Sequence, residues 1–162
     1  NALNCFLKGP TSCFEEIKQT KNSLGAIYRM FGEPMLALQT YFESISISEK
    51  YNFRNSVAYN NIGVLYFGMA KHEKALRYFQ IALEKEELLE NPDRLQILRV
   101  LENIATTYFQ MGRIDEAFEI HEELQAKIMF LGERGTLSPA EEKLFNFTHT
   151  VISGEYEEVE WH

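Results

Sequence analysis

Hydrophobic residues recur along the chain at the spacing of α-helices, and the whole arrangement repeats. Three stretches each contain a small residue, a Tyr three places later, a second small residue seven places later and an Ala twelve places later. The leading small residues are Gly25, Gly63 and Ala105, which are 38 and then 42 residues apart. Apolar positions near a period of 3.6 predict amphipathic helices, and a pattern that returns at such distances indicates an array of helical repeats.

Each copy of the pattern predicts two helices joined by a tight turn. Small residues let two helix backbones approach closely, and the Tyr one turn later fills the space beside that contact. Gly32 and Gly112 suit the left-handed end of a helix, and Pro34 suits the first turn of the next helix. A fourth copy is visible in its second half, because Gly154 lies 42 residues after Gly112.

The pattern predicts an all-α chain, since no alternating stretch bounded by turn residues indicates a strand. The expected helices are approximately 12–31, 34–50, 54–70, 72–90, 92–111, 114–131, 139–153 and 155 to the end, after the tail of an earlier helix at 1–8. Ser12 with Glu15 has the form of a capping box, and Asn91 has the form of an N-cap before Pro92.

We expect one domain over residues 1–162, with units at about 12–50, 54–90, 92–131 and 139–162. The chain begins at Asn1, with neither Met nor a signal-peptide pattern, so we also expect a piece of a longer protein.

The repeated motif resembles the tetratricopeptide repeat, a helix–turn–helix unit of about 34 residues. The second copy matches the family's key spacings at Tyr59, Ile62, Gly63, Tyr66, Ala75, Phe79 and Ala82. The other copies match at Leu24, Gly25, Tyr28, Ala37 and Tyr41, and at Leu101, Ile104, Ala105, Tyr108 and Ala117. The units here are longer, and the closing Pro after Ala82 is absent. Longer units resemble those of kinesin light chains, cell-polarity adaptors and bacterial peptide-pheromone receptors.

The resemblance implies an α-solenoid, a superhelix of about three and a half stacked repeats. Its concave face would be lined by the first helix of each pair, and such faces typically bind an extended or helical peptide. Within related repeats, Asn residues at one position of the first helix hold the backbone of the ligand. Asn61 and Asn103 occupy that position here, while Ser23, next to Asn22, fills it in the first unit.

These residues extend to a predicted groove lining on the first helices. The remaining candidates are Asn60, Arg99, Val64, Phe67, Thr106 and Gln110, together with Tyr59, which we assign first to the core. The alternative is that the polar members are merely exposed, or satisfy a neighbouring helix. The Lys and Arg residues of a carboxylate clamp are missing around the Asn residues, so binding of a chaperone C-terminus is unsupported.

The remaining chemistry-bearing residues favour structural roles. His121 replaces the aromatic residue of Tyr41 and Phe79, and we expect a packing substitution with a locally hydrogen-bonded ring, a pH-sensitive contact being the alternative. Cys5 and Cys13 lack metal-ligand partners and suggest buried thiols. Adjacent carboxylates such as Glu86 and Glu87 point in different directions on a helix and predict a solvated face.

Composition narrows the function classes further. The chain has 162 residues, 45% hydrophobic, with a net charge of −8, and no basic cluster for nucleic acid. No apolar run is long enough to cross a membrane. Two cysteines favour a reduced, cytoplasmic setting over an oxidising one. No HExxH motif, phosphate loop or nucleophile–base arrangement is present, so we expect neither an enzyme nor a cofactor.

Three functions follow, from different classes. The first is a protein- or peptide-binding scaffold that uses the concave face. The second is a dimerisation segment of a larger regulator, in which the C-terminal end with Trp161 meets a second copy. The third is a sensor domain whose effector module, such as a transcriptional regulator's, lies elsewhere.

Overall fold

The computed structural model describes residues 10–132 together with Pro139. Within that part, all regular structure is helical. The elements are α1 (Pro10–Met30), α2 (Pro34–Tyr51), α3 (Ser56–Gly68), α4 (His72–Glu87), α5 (Arg94–Gln110) and α6 (Ile114–Gly132). The prediction of an all-α helical repeat is confirmed. The predicted helix at 1–8 lies outside the described residues, as does the fourth unit at 139–162 apart from Pro139.

The helices stack as three antiparallel pairs, α1 with α2, α3 with α4, and α5 with α6. Each helix also packs on the next one along the chain, and the first helices of successive pairs meet, α1 with α3 and α3 with α5. First helices and second helices therefore form two layers of one superhelix. The apolar residues between the layers make a core that continues from pair to pair.

The two helices of a pair are closest at the small residues. A Cβ atom on Gly25 would lie 2.5 Å from Cε1 of Tyr41, and one on Gly63 would lie 2.4 Å from Cε1 of Phe79. Such distances are well inside van der Waals contact, so a buried ring on the second helix requires glycine on the first. In the third pair the matching positions hold Ala105 and His121. A five-membered ring is smaller, which accounts for the tolerated methyl group.

The turns inside the pairs share one hydrogen-bonding pattern. The backbone N–H of Glu33 donates to Tyr28, that of Lys71 to Tyr66 and that of Arg113 to Tyr108, at 2.9–3.0 Å. The residue before each donor is left-handed, with φ of 74° at Gly32 and Gly112 and 55° at Ala70. This is the Schellman ending of a helix.

The predicted helix starts need correction. Helix α1 already begins at Pro10, so Ser12 lies inside the helix and does not cap it. Helix α5 begins at Arg94, and its N-cap is Asp93, whose carboxylate accepts from the backbone N–H of Gln96 at 3.2 Å. Asn91 is therefore not the cap.

Glu86, near the end of α4, is buried, which contradicts the prediction of a solvated carboxylate. Its Oε1 accepts from Nη1 of Arg54 at 2.8 Å and from the backbone N–H of Asp93 at 2.6 Å. Its Oε2 accepts from the hydroxyl of Ser56. A buried carboxylate is tolerated only with such partners. Because the partners precede or begin α3 and α5, Glu86 joins α4 to both neighbouring helices.

We predict that Gly63→Ala destabilises the fold by about 1–3 kcal/mol, because the new methyl group would overlap Phe79. Ala105→Gly is the matched control, and its cost of about 0.5–1 kcal/mol reflects only the backbone entropy of glycine. Denaturant unfolding measures both changes. Equal costs for the two variants would contradict the close-contact account.

We also predict that Glu86→Gln destabilises the fold by about 1–3 kcal/mol, because fewer of its buried donors retain an acceptor. Glu87→Gln is the control. Glu87 is exposed, and its oxygen lies 3.7 Å from Nζ of Lys127, a surface pair of little worth. Urea unfolding should separate the two variants, and a neutral Glu86→Gln would show that the carboxylate does not join the helices.

Candidate functional site

The inner layer of the superhelix repeats the same positions in each first helix. Moving by 38 and then 42 residues relates Asn22, Asn60 and Glu102, which we call the first slot. The same steps relate Ser23, Asn61 and Asn103, which we call the second slot. Five of the six residues are half-buried, and Ser23 is exposed. The slots lie where neighbouring first helices meet.

Asn103 and Asn60 are hydrogen-bonded to each other. Nδ2 of Asn103 on α5 donates to Oδ1 of Asn60 on α3 at 2.9 Å. A second-slot amide of one unit thus reaches the first-slot acceptor of the preceding unit. Part of the hydrogen-bonding capacity of these two residues serves the packing of α3 against α5.

Asn61 and Asn22 hold the same two slots one unit earlier, yet the corresponding bond is not made. Oδ1 of Asn22 is buried and has no hydrogen-bond partner. The side chain of Asn61 makes no hydrogen bond to any other described residue. A donor and an acceptor are therefore left unused at the junction of α1 and α3.

The inner side of α5 carries exposed polar side chains. Arg99, Thr106 and Gln110 are all exposed, as expected for residues that could meet a ligand. Glu102 lies beside them, half-buried. Burial raises the pKa of Glu102 above its usual value, and the charge of Arg99 partly offsets that rise.

Val64, Phe67 and Tyr59 are half-buried and pack against the apolar core. Each contacts the cluster built around Phe79 and Ile104. Tyr59 also packs against the preceding cluster and stacks with Tyr78 at 6.4 Å between ring centroids, in agreement with its assignment to the core. The groove role of Val64 and Phe67 stays a prediction, with part of each side chain already engaged inside the fold.

A cavity of about 640 Å³ opens between α1 and α3. Its walls comprise Glu15, Lys18, Gln19, Asn22 and Ser23 from α1, Asn52, Phe53 and Arg54 from the following loop, and Val57 from α3. The volume lies within the range of about 300–1,000 Å³ that small ligands occupy.

The charges around this cavity are neutralised within the protein. Nζ of Lys18 lies 2.7 Å from Oε1 of Glu15 and donates to the carbonyl of Arg54 at 3.0 Å. The guanidinium of Arg54 is paired with Glu86 at 2.8 Å. The cavity therefore offers polar atoms without an excess charge of either sign.

Sequence reasoning missed Glu102 and this cavity. Glu102 could have been found by aligning the units, because it shares the slot of Asn60. Lys18 and Arg54 carried no signal, since their roles depend on a loop carbonyl and on a carboxylate 32 residues away from Arg54.

His121 and the cysteines add no reactive group to this face. Nδ1 of His121 is buried without a partner, so the expected local hydrogen bond is missing at that atom, and burial lowers the pKa of the ring. Cys13 is half-buried on α1, and Cys5 lies outside the described residues. Across residues 10–132, no three His, Cys, Asp or Glu side chains cluster as metal ligands would. No helix in the same range has the length and apolarity to cross a membrane.

Comparison with known proteins agrees with the geometry. Residues 54–126, from the start of α3 into α6, match the family model of the tetratricopeptide repeat. These residues are tetratricopeptide repeats. No curated protein sequence matches the chain.

Solved structures with the same architecture include three helical-repeat proteins. BtubC (BKLC) from P. vanneervenii has a TM-score of 0.65 and 19% identity, over 75% of this chain and 50% of that one. MamA has a TM-score of 0.59 and 20% identity, over 75% and 61%. The N-terminal domain of stress-induced protein-1 (STI-1) from C. elegans has a TM-score of 0.62 and 14% identity, over 84% and 97%.

These likenesses show the fold alone. The matched region spans half the length of the BtubC chain and 61% of the MamA chain. The tetratricopeptide fold is typical of non-catalytic protein-interaction scaffolds.

Proposed function

We propose that this chain is a scaffold that binds a peptide, or a peptide-like segment of a protein, against the inner faces of α1, α3 and α5. The observation that carries the proposal is the unused amide of Asn61. It is half-buried between two neighbouring helices, and none of its hydrogen-bonding atoms is engaged by another described residue.

The chemistry around Asn61 suits a peptide. Arg99, Thr106 and Gln110 are exposed on α5, and Val57 on α3 is an exposed apolar side chain. Peptide recognition combines hydrogen bonds to the ligand backbone with apolar contacts to its side chains. Both kinds of group are present on neighbouring helices of one layer.

Asn103 contributes in a different way from Asn61. Because its amide already donates to Asn60, its first role is to fix the spacing between α3 and α5. Its remaining carbonyl oxygen is the atom that we assign to a ligand. Asn103→Ala would therefore change both packing and binding, and Asn61 gives the cleaner test.

The dimerisation and sensor alternatives have no support from the described residues. The C-terminal segment with Trp161 lies outside them, and so would any effector module. A cytoplasmic setting likewise stays a prediction.

We predict that Asn61→Ala weakens peptide affinity by about 1–2 kcal/mol, the cost of leaving a partner's polar group unsatisfied. The free energy of unfolding should change by less than about 0.5 kcal/mol, because the side chain holds no bond in the fold. The probe is a short synthetic peptide selected from a random library for binding to the intact chain, and fluorescence anisotropy gives its affinity.

The control is Gln80→Ala, which removes an exposed amide from α4 in the second-helix layer. Its affinity for the peptide should match that of the unmodified chain. Equal affinities for all three proteins would place the peptide elsewhere and contradict the proposed function.

A further inference from the structure

The junction between α1 and α3 differs from the junction between α3 and α5 in one hydrogen bond. At the later junction, the second-slot amide of Asn103 donates to the first-slot oxygen of Asn60. At the earlier junction the same slots hold the same residue type, Asn61 and Asn22, and Oδ1 of Asn22 remains buried and unpartnered. The repeat thus supplies both halves of a second bond without forming it.

An unpartnered buried amide oxygen is costly. Leaving one acceptor without a donor costs about as much as a typical hydrogen bond contributes, or more. Buried polar side chains in folded proteins nearly always have a partner. A direct bond would need no new residue, so the open junction calls for a group that bridges Asn61 and Asn22.

The surroundings identify that group. Asn22 lines the cavity between α1 and α3, and Val57, one helical turn before Asn61, lines the same cavity. Lys18 and Arg54 are already paired with Glu15 and Glu86, so neither an anion nor a cation gains a free counter-charge there. The unused groups are one N–H donor and one carbonyl acceptor. A secondary amide has the complementary pair.

We infer that Asn22 and Asn61 form a two-sided subsite for one backbone amide of a bound peptide. This inference rests on the proposed function and deepens it. The carbonyl oxygen of the ligand accepts from Nδ2 of Asn61, and the ligand's N–H donates to Oδ1 of Asn22. The terminal torsion of an asparagine side chain is broad, so rotation about it can turn the buried oxygen toward the cavity. The bound amide then replaces the missing bond between the units.

The test compares Asn22→Leu with Asn60→Leu, the same substitution at the same slot of neighbouring units. Leu has the branched shape of Asn and cannot accept a hydrogen bond. Asn22→Leu removes an unsatisfied oxygen, so its melting temperature should stay the same or rise. Asn60→Leu leaves Asn103 without its acceptor, and its melting temperature should fall by roughly 2–4 °C. Asn22→Ala serves in case the larger side chain overpacks the junction.

The binding measurement uses the selected peptide and a series in which each backbone N–H in turn is replaced by N-methyl. Asn22→Leu should bind the unmodified peptide about tenfold more weakly, the equivalent of one hydrogen bond. One N-methyl peptide should lose about the same factor on the unmodified chain. That peptide should lose nothing further on Asn22→Leu, because the acceptor is already absent.

Other results overturn the inference. Unchanged affinity of Asn22→Leu, while Asn61→Ala binds weakly, removes the subsite and leaves the proposed function standing. Unchanged affinity of both variants removes both. A lowered melting temperature in both Asn22→Leu and Asn22→Ala would show that the oxygen has a structural partner in the free protein. The absence of any N-methyl position whose effect depends on Asn22 would show that no backbone N–H reaches it.

Discussion

The stack depends on how closely the two helices of each pair approach at Gly25, Gly63 and Ala105. Where the second helix contributes the six-membered ring of Tyr41 or Phe79, the first helix has no room for a Cβ atom. This contact fixes the rotation of each first helix about its axis. The rotation in turn decides which residues face the inner layer, so the slots of Asn61 and Asn103 follow from a constraint on the opposite side of the helix.

Coupling between pairs comes from polar groups as well as from the apolar core. Glu86 ties α4 to the residues before α3 and α5, and the Asn103–Asn60 bond ties α5 to α3 on the inner layer. The α1–α3 junction lacks the second kind of tie and contains the cavity instead. A repeat protein whose units are equivalent in sequence is thus unequal in how its inner-layer amides are satisfied.

The sequence predicted the architecture because the small, Tyr and Ala positions recur at fixed internal spacing, and such spacing has few structural solutions. It predicted the wrong helix starts at Ser12 and Asn91, since several capping residues lie close together and only tertiary contacts choose among them. Glu86 was misassigned because its neighbour in sequence, Glu87, is indeed exposed. The candidate site was predicted at the level of helix faces. The pairing of Asn103 with Asn60 depends on side-chain directions across two helices, which the spacing alone does not give.

The central claim is that two chemically identical junctions differ in one hydrogen bond, and double-mutant cycles in the free protein test it without any ligand. Each cycle replaces two Asn residues by Ala, singly and together, and measures unfolding free energies in denaturant. The account predicts a coupling of about 0.5–1.5 kcal/mol between Asn60 and Asn103, and additivity within about 0.3–0.5 kcal/mol for Asn22 and Asn61. Equal coupling in both cycles would mean that Asn61 and Asn22 bond directly, and would contradict the account.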